Sequence, residues 1–126
     1  MRFAMLMIPN HTSDDWTPSP EAVREMGKYN QRLTEAGVLL SLDGFHPTSK
    51  GARVSFAGGA EPTIADGPFD TPRQTVGGYW LIDVRSKDEA VEWASRCPAG
   101  DGDVIEIRQI FEMSDFPPEV QAAAAQ

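Results

Sequence analysis

The sequence has a single cysteine and no long apolar segment. Cys97 has no second cysteine in the chain to pair with, which excludes an intramolecular disulfide and favours a reducing, cytoplasmic setting. The apolar run at residues 3–8 is far shorter than the about 20 residues that span a bilayer, so no membrane segment is expected. Because the chain leads from Met1 directly into this strand-like run, no signal peptide is predicted.

The sequence also lacks an excess of basic residues. Asp and Glu total 19 against 11 Lys and Arg, a formal net charge of −8. Such a chain repels the phosphates of nucleic acids and the surface of anionic membranes. Neither nucleic acid nor a membrane is therefore expected as a partner.

Motifs for cofactors and metals are missing as well. No glycine-rich phosphate-binding loop or dinucleotide fingerprint follows a predicted strand. His11 and His46 are isolated, with no second histidine at a metal-ligand spacing. Cys97 falls on an apolar helix stripe, where a thiol is usually inert. No metal and no cofactor are predicted.

The length, the composition and the predicted strands and helices indicate one small α+β domain. At 126 residues, 40% hydrophobic and 24% charged, the chain has the size and composition of a single globular domain. Strands are expected at residues 3–8, 38–42, 79–84 and 104–111, with shorter extended pieces at 52–56 and 63–65. Helices are expected to begin at the caps Ser19 and Ser86, the second with Glu89 completing a capping box. The order is the βαββαβ arrangement of ferredoxin-like subunits.

The strand patterns also predict a homodimer. Two helices cover only one face of a four-stranded sheet, yet the strands at 3–8 and 79–84 are apolar on both faces. The simplest cover for the second face is the same face of another copy. Glu106 and Arg108 put charges on one face of the last strand, which fits if they lie near an edge or pair with each other.

A family resemblance rests on Asp66-Gly67-Pro68-Phe69, followed at its usual distance by the strand at residues 77–84. This arrangement resembles the signature of YCII-related proteins of the DGPF type. The resemblance implies a dimeric α+β barrel of ferredoxin-like subunits. The domain is expected at residues 1–113, and residues 114–126 are expected to be a loosely ordered tail. Members often lie in bacterial genomes beside genes for extracytoplasmic-function sigma factors, which implies a link to a sigma factor as partner.

The sequence departs from relatives at two places that the resemblance connects with function. Better-studied relatives are proposed to use a histidine and an aspartate of the first helix as an acid–base pair, and these positions fall here on Met26 and Glu35. A methionine carries no proton, so the pair is absent. Where many relatives have Glu-Thr-Lys-Glu, this chain has residues 71–74, and only the basic position is kept, as Arg73.

Two aspartates in turns are the candidate catalytic residues. Asp66 precedes Gly-Pro and Asp43 precedes Gly44, so each carboxylate can simply hold its own turn. Alternatively, a cleft at the barrel mouth raises the affinity of one carboxylate for a proton and makes it a general acid or base.

Four further residues are candidates for ligand binding. Arg73 is a natural clamp for a carboxylate or phosphate, and the hydroxyl of Tyr79 can hydrogen-bond a ligand. Phe69 and His46 complete the set. The favoured hypothesis is a homodimeric module that binds or responds to a small polar or acidic molecule near the Asp66–Phe69 turn. The alternative is a cofactor-independent enzyme that uses Asp66 or Asp43 as general acid or base.

Overall fold

A computed structural model describes residues 1–11, 14–71 and 73–125. The tripeptide Ser19-Pro20-Glu21 begins the first helix as predicted, since Ser19 Oγ accepts a hydrogen bond from Ala22 N at 3.0 Å. The helices and strands of the described residues are β1 (Arg2–Ile8), α1 (Pro20–Glu35), β2 (Leu39–Gly44), β3 (Ala52–Ser55), β4 (Thr63–Asp66), β5 (Gly78–Asp83), α2 (Lys87–Ser95), β6 (Val104–Gln109) and α3 (Pro118–Ala124).

The main sheet has four antiparallel strands in the order β2-β5-β1-β6. Helix α1 connects β1 to β2 and helix α2 connects β5 to β6, so the two halves of the chain interleave in one sheet. This order is consistent with the ferredoxin-like fold, and the α+β class is confirmed. The apolar run at residues 3–8 forms the central strand β1, as predicted.

The second helix begins at Ser86, whose side chain accepts a hydrogen bond from Glu89 N at 3.1 Å. The prediction that Glu89 reaches back to the cap residue is corrected by one position. Its carboxylate accepts a bond from the backbone N–H of Arg85 at 3.0 Å, not from that of Ser86.

The buried core lies between the helices and one face of the sheet. Tyr29 Oη donates to Trp93 O at 2.7 Å, and Trp80 Nε1 donates to Asn30 Oδ1 at 2.8 Å, so both polar groups of these aromatic residues have partners. Burial raises the pKa of the Tyr29 hydroxyl far above its usual value. The buried apolar side chains are Phe3, Met5, Tyr29, Leu33, Val38, Trp80, Ile82, Val84 and Ala90.

The other face of the sheet, called the open face here, carries Ala4, Leu6 and Ile8 on β1 and Tyr79 and Leu81 on β5. These side chains alternate with those that point into the core. They are only half-buried, and no described residue of this face reaches the burial of the helix side. The central strands are therefore apolar on both faces, as the sequence predicted.

Strands β3 and β4 form a separate antiparallel hairpin between β2 and β5, with Val54 opposite Ile64. The sequence predicted both pieces as extended but did not predict that they pair with each other. All their residues are exposed, and Phe56 just beyond β3 is 81% exposed. Val54 and Phe56 alternate with polar residues, which predicts a strand, but the pattern does not indicate which segment this strand pairs with.

The segment at 114–126, predicted as a loosely ordered tail, contains the end of a 3₁₀ turn (Met113–Asp115) and helix α3. The segment before it is tied to β1, because Arg2 Nε donates to the carboxylate of Glu112 at 2.6 Å. This bond holds the pKa of Glu112 below its usual value. The domain boundary at residue 113 remains a prediction. In the described part of the chain, no helix has both the length and the hydropathy to cross a membrane.

Candidate functional site

An open depression of about 380 Å³ lies beside the Asp66–Phe69 turn. Two of the predicted ligand-binding residues, His46 and Phe69, line it together with Lys50 and Arg53. The remaining lining residues are Pro47, Thr48, Gly51, Ala52, Gln74, Thr75 and Val76. The wall comes from the loop after β2, the start of the hairpin and the segment before β5.

The turn itself is built by close contact between its backbone and that of residues 48–51. Phe69 N donates to Thr48 Oγ1 at 2.9 Å, and Gly67 N donates to Gly51 O at 2.9 Å. A side chain at Gly67 would overlap the carbonyl oxygen of Thr48, so only glycine fits there. The glycine of the Asp66–Phe69 motif therefore closes the base of the hairpin and brings Phe69 to the depression.

Arg53 is held in place at the wall of this depression. Its guanidinium carbon lies 4.0 Å from the centre of the Phe69 ring, and Nη2 donates to Thr71 Oγ1 at 3.2 Å. A guanidinium stacked on an aromatic ring keeps its N–H groups pointing outward in the plane, where they can still bind an anion. The sequence analysis did not single out Arg53.

Asp66 lies at the end of β4, where it pairs with Ala52 through the backbone. Its side chain is exposed, and it does not line the depression. The described contacts give this residue a role in ending the hairpin. Its role as a general acid or base remains a prediction.

Asp43 and Tyr79 are brought together on the open face. They lie opposite each other on β2 and β5, and Tyr79 Oη donates to Asp43 Oδ2 at 2.9 Å. The ring of Phe45 packs against that of Tyr79, with centroids 6.0 Å apart. These two candidates thus form a pair at the end of the sheet, and Asp43 precedes His46 of the depression by three residues.

Arg73 lies apart from both groups. Its Nη1 donates to Gly102 O at 2.7 Å, in the loop before β6, and its backbone is in the left-handed region at φ 70°. The neighbouring Pro72 lies outside the described residues, so the predicted correspondence of residues 71–74 is described only in part. The structure therefore separates Arg73 from His46 and Phe69, and its role as a ligand clamp remains a prediction.

Lys50 and Arg53 are the site residues that sequence reasoning missed. A signal was present, because residues 44–60 contain both cations and His46 but no Asp or Glu, in a chain with 19 acidic residues. Charge patterning along the chain reveals such a basic segment. The sequence does not show that this segment forms a site, because it is the hairpin that brings Arg53 against Phe69.

The family model for the YCII-related domain matches residues 1–114. The chain belongs to the YCII-related domain family. An uncharacterized protein of Rhizobium meliloti (strain 1021) is 32% identical over 72 residues, which cover 57% of this chain and 57% of that protein. The chain thus spans little more than half the length of this curated relative. The resemblance on which the sequence analysis relied is confirmed.

In this YCII-related domain, the first-helix positions linked with acid–base chemistry serve the fold. Met26 packs against the buried core, and Glu35 accepts a hydrogen bond from Gln31 at 3.0 Å. Burial raises the pKa of the Cys97 thiol to about 11, which keeps it protonated and unreactive near neutral pH. Among residues 1–11, 14–71 and 73–125, no group of three or more His, Cys, Asp or Glu side chains is arranged to hold a metal ion.

Proposed function

We propose that this YCII-related domain is a homodimeric binding module for a small polar molecule, with the ligand in the depression beside Phe69. The observation that carries the proposal is the depression, in which His46, Lys50 and Arg53 meet at a turn held closed by Gly67. Its volume of about 380 Å³ suits a small metabolite. A response of the domain to that molecule would make it a regulatory module.

The dimer is supported by how charge is distributed over the open face. The middle of the central strands β1 and β5 presents Ala4, Leu6 and Leu81 there. The charges lie at the end of these strands, on Arg2 and Asp83, and on the two edge strands. On β6, Arg108 Nη1 lies 3.4 Å from the carboxylate of Glu106, so these two charges pair with each other at the edge. An apolar centre with a polar rim is the usual anatomy of a protein interface. Two copies packed face to face would form the dimeric barrel.

The cofactor-independent enzyme is the second candidate, and the bond between Tyr79 and Asp43 favours it. A carboxylate that accepts a hydrogen bond from a tyrosine can exchange a proton with a bound substrate while the tyrosine orients it. In the dimer, this pair would lie at the rim of the barrel, next to the partner subunit. The binding module is preferred because the histidine position of the first helix is filled by Met26 in the core.

The test is a thermal-shift screen of small metabolites, followed by a turnover assay on each compound that raises the melting temperature. Saturating ligand at about 100 times its Kd is expected to stabilise the fold by about 2.7 kcal/mol. Binding without turnover, in a protein that is dimeric by sedimentation, supports the module. Turnover that is lost in Asp43→Asn or Asp66→Asn would favour the enzyme, and a screen with no hits would contradict both.

A further inference from the structure

We propose that the ligand of the depression is a small anion, recognised through a carboxylate or phosphate group by Arg53 and Lys50. The inference rests on the proposed function, because it names the ligand class of the same site. It starts from charge: the lining includes Lys50, Arg53 and His46 and, among the described residues, no Asp or Glu. The whole chain is acidic, with a net charge of −8, so a depression that holds two cations and, in its described lining, no carboxylate differs from the average surface.

The side chain of Arg53 is already partly ordered without a ligand. The contact with the Phe69 ring and the bond to Thr71 restrict the guanidinium of Arg53 before any ligand arrives. A guanidinium has five N–H donors, and within the described residues Arg53 donates one hydrogen bond. A side chain already ordered in this way loses less conformational entropy on binding than a freely rotating one. Paired N–H groups match the two oxygens of a carboxylate or phosphate.

The depression is lined, in the described part of the chain, by neutral polar groups and not by carboxylates. Asp66 and Asp70 lie close to Phe69 in the sequence, but neither lines the depression. Neutral hydrogen-bonding groups, Gln74 and Thr75, face it instead. An anion that enters meets two cations and two neutral polar side chains. A cationic ligand would meet Lys50 and Arg53 with no carboxylate in the lining to offset them.

The size and openness of the depression limit how large the ligand can be. About 380 Å³ holds an anion of a few carbon atoms but leaves no enclosed chamber for a large cofactor. Ion pairs that stay accessible to water are screened by salt. Binding should therefore weaken as ionic strength rises.

The experiment follows amide shifts in two-dimensional ¹H–¹⁵N spectra at constant ionic strength. The probes are inorganic phosphate, succinate and the neutral analogue succinamide. The variants are Lys50→Gln and Arg53→Gln, with Arg24→Gln on the exposed surface of α1 as a control of equal charge change. Arg53→Lys separates loss of the charge from loss of the guanidinium geometry.

We expect an anion to shift residues 46–53 and 69–76, and succinamide to leave them unchanged. Lys50→Gln and Arg53→Gln should each weaken binding about tenfold or more, as expected for a charge-assisted contact, and Arg24→Gln less than about twofold. Phosphate alone binding would identify a phosphate group, and succinate alone a carboxylate. Anion binding that is equal in all variants, or that shifts other residues, overturns the inference.

The experiment distinguishes a wrong ligand class from a wrong proposed function. If neutral or cationic compounds shift the lining residues and anions do not, the binding module stands and the anion class is wrong. If no compound of the wider metabolite screen shifts these residues, both proposals fail. Unchanged spectra of the variants outside the depression would establish that Lys50→Gln and Arg53→Gln are folded.

Discussion

Replacing Leu81 by lysine is expected to dissociate the proposed dimer while leaving each subunit folded. Leu81 lies on the open face, opposite Ala4 on β1 and Ser41 on β2, so no charged residue stands directly across on either neighbouring strand. In a single subunit the lysine stem can lie over its apolar neighbours and keep the ammonium in water. The fold of the subunit should therefore tolerate the change.

The expected loss in the free energy of dimerisation follows from the twofold symmetry. In the dimer, sheet packing would remove the ammonium from water, at a cost of at least about 2 kcal/mol per subunit. Each dimer contains two copies of Leu81, so the total is about 4 kcal/mol. A change of about 4 kcal/mol weakens dimerisation about a thousandfold.

Sedimentation velocity over about 0.1 to 100 µM would measure this change, since it covers the range in which a micromolar dimer dissociates. The control is Val23→Lys on α1, where Val23 is 55% exposed and belongs to the helix layer. We expect the natural protein and the Val23 variant to be dimers and the Leu81 variant to be a monomer with an unchanged circular dichroism spectrum. A Leu81 variant that dimerises as tightly as the natural protein, or a natural protein that is monomeric throughout, would refute the reasoning.

Three further predictions concern the stability of the subunit. Tyr29→Phe should lower the free energy of unfolding by about 1 kcal/mol and the melting temperature by about 3–5 °C, because it removes the bond to the Trp93 carbonyl; an unchanged melting curve would contradict that role. Cys97 should react with iodoacetamide at pH 8 far more slowly when folded than in urea. The unfolded thiol loses its proton near pH 9 while the folded one keeps it until about 11, so stability should fall as pH rises through this window. Cys97→Ser should reduce that fall and leave the part that buried Tyr29 contributes above pH 10. Gly67→Ala should destabilise the protein by about 1–3 kcal/mol through overlap with a backbone carbonyl, and Gly58→Ala, with open space around it, should not; equal urea midpoints would show that the turn adapts.

The four-stranded sheet and its helices could be predicted from the sequence because local signals and burial agree. Residues 3–8 are apolar at every position and too few for a stable helix, which favours a central strand. Ser19 and Ser86 cap the two helices where predicted, since a hydroxyl before the first turn satisfies a free amide. These signals depend on neighbours within a few residues, and tertiary structure did not override them.

The candidate site could be predicted only in part because it depends on contacts between distant segments. Tyr79 and Asp43 were both singled out, but their hydrogen bond follows from the register of β2 on β5. The position of Arg53 depends on the pairing of β3 with β4, and the alternating residues of β3 do not indicate which segment it pairs with. Arg73 illustrates the reverse case, since its partner is a backbone carbonyl in a loop that no side-chain pattern marks.

The open face and the depression meet at the end of β2, which connects the two parts of the proposed function. Asp43 bonds Tyr79 on the open face, Phe45 packs on the same ring, and His46 lines the depression. A partner subunit that covers Tyr79 would restrict Phe45 and, through the backbone, His46. If dimerisation orders the depression in this way, thermodynamic reciprocity requires an anion bound there to tighten the dimer. The monomeric Leu81 variant should then bind anions more weakly than the natural protein, whereas equal affinity would mean that the two surfaces act independently.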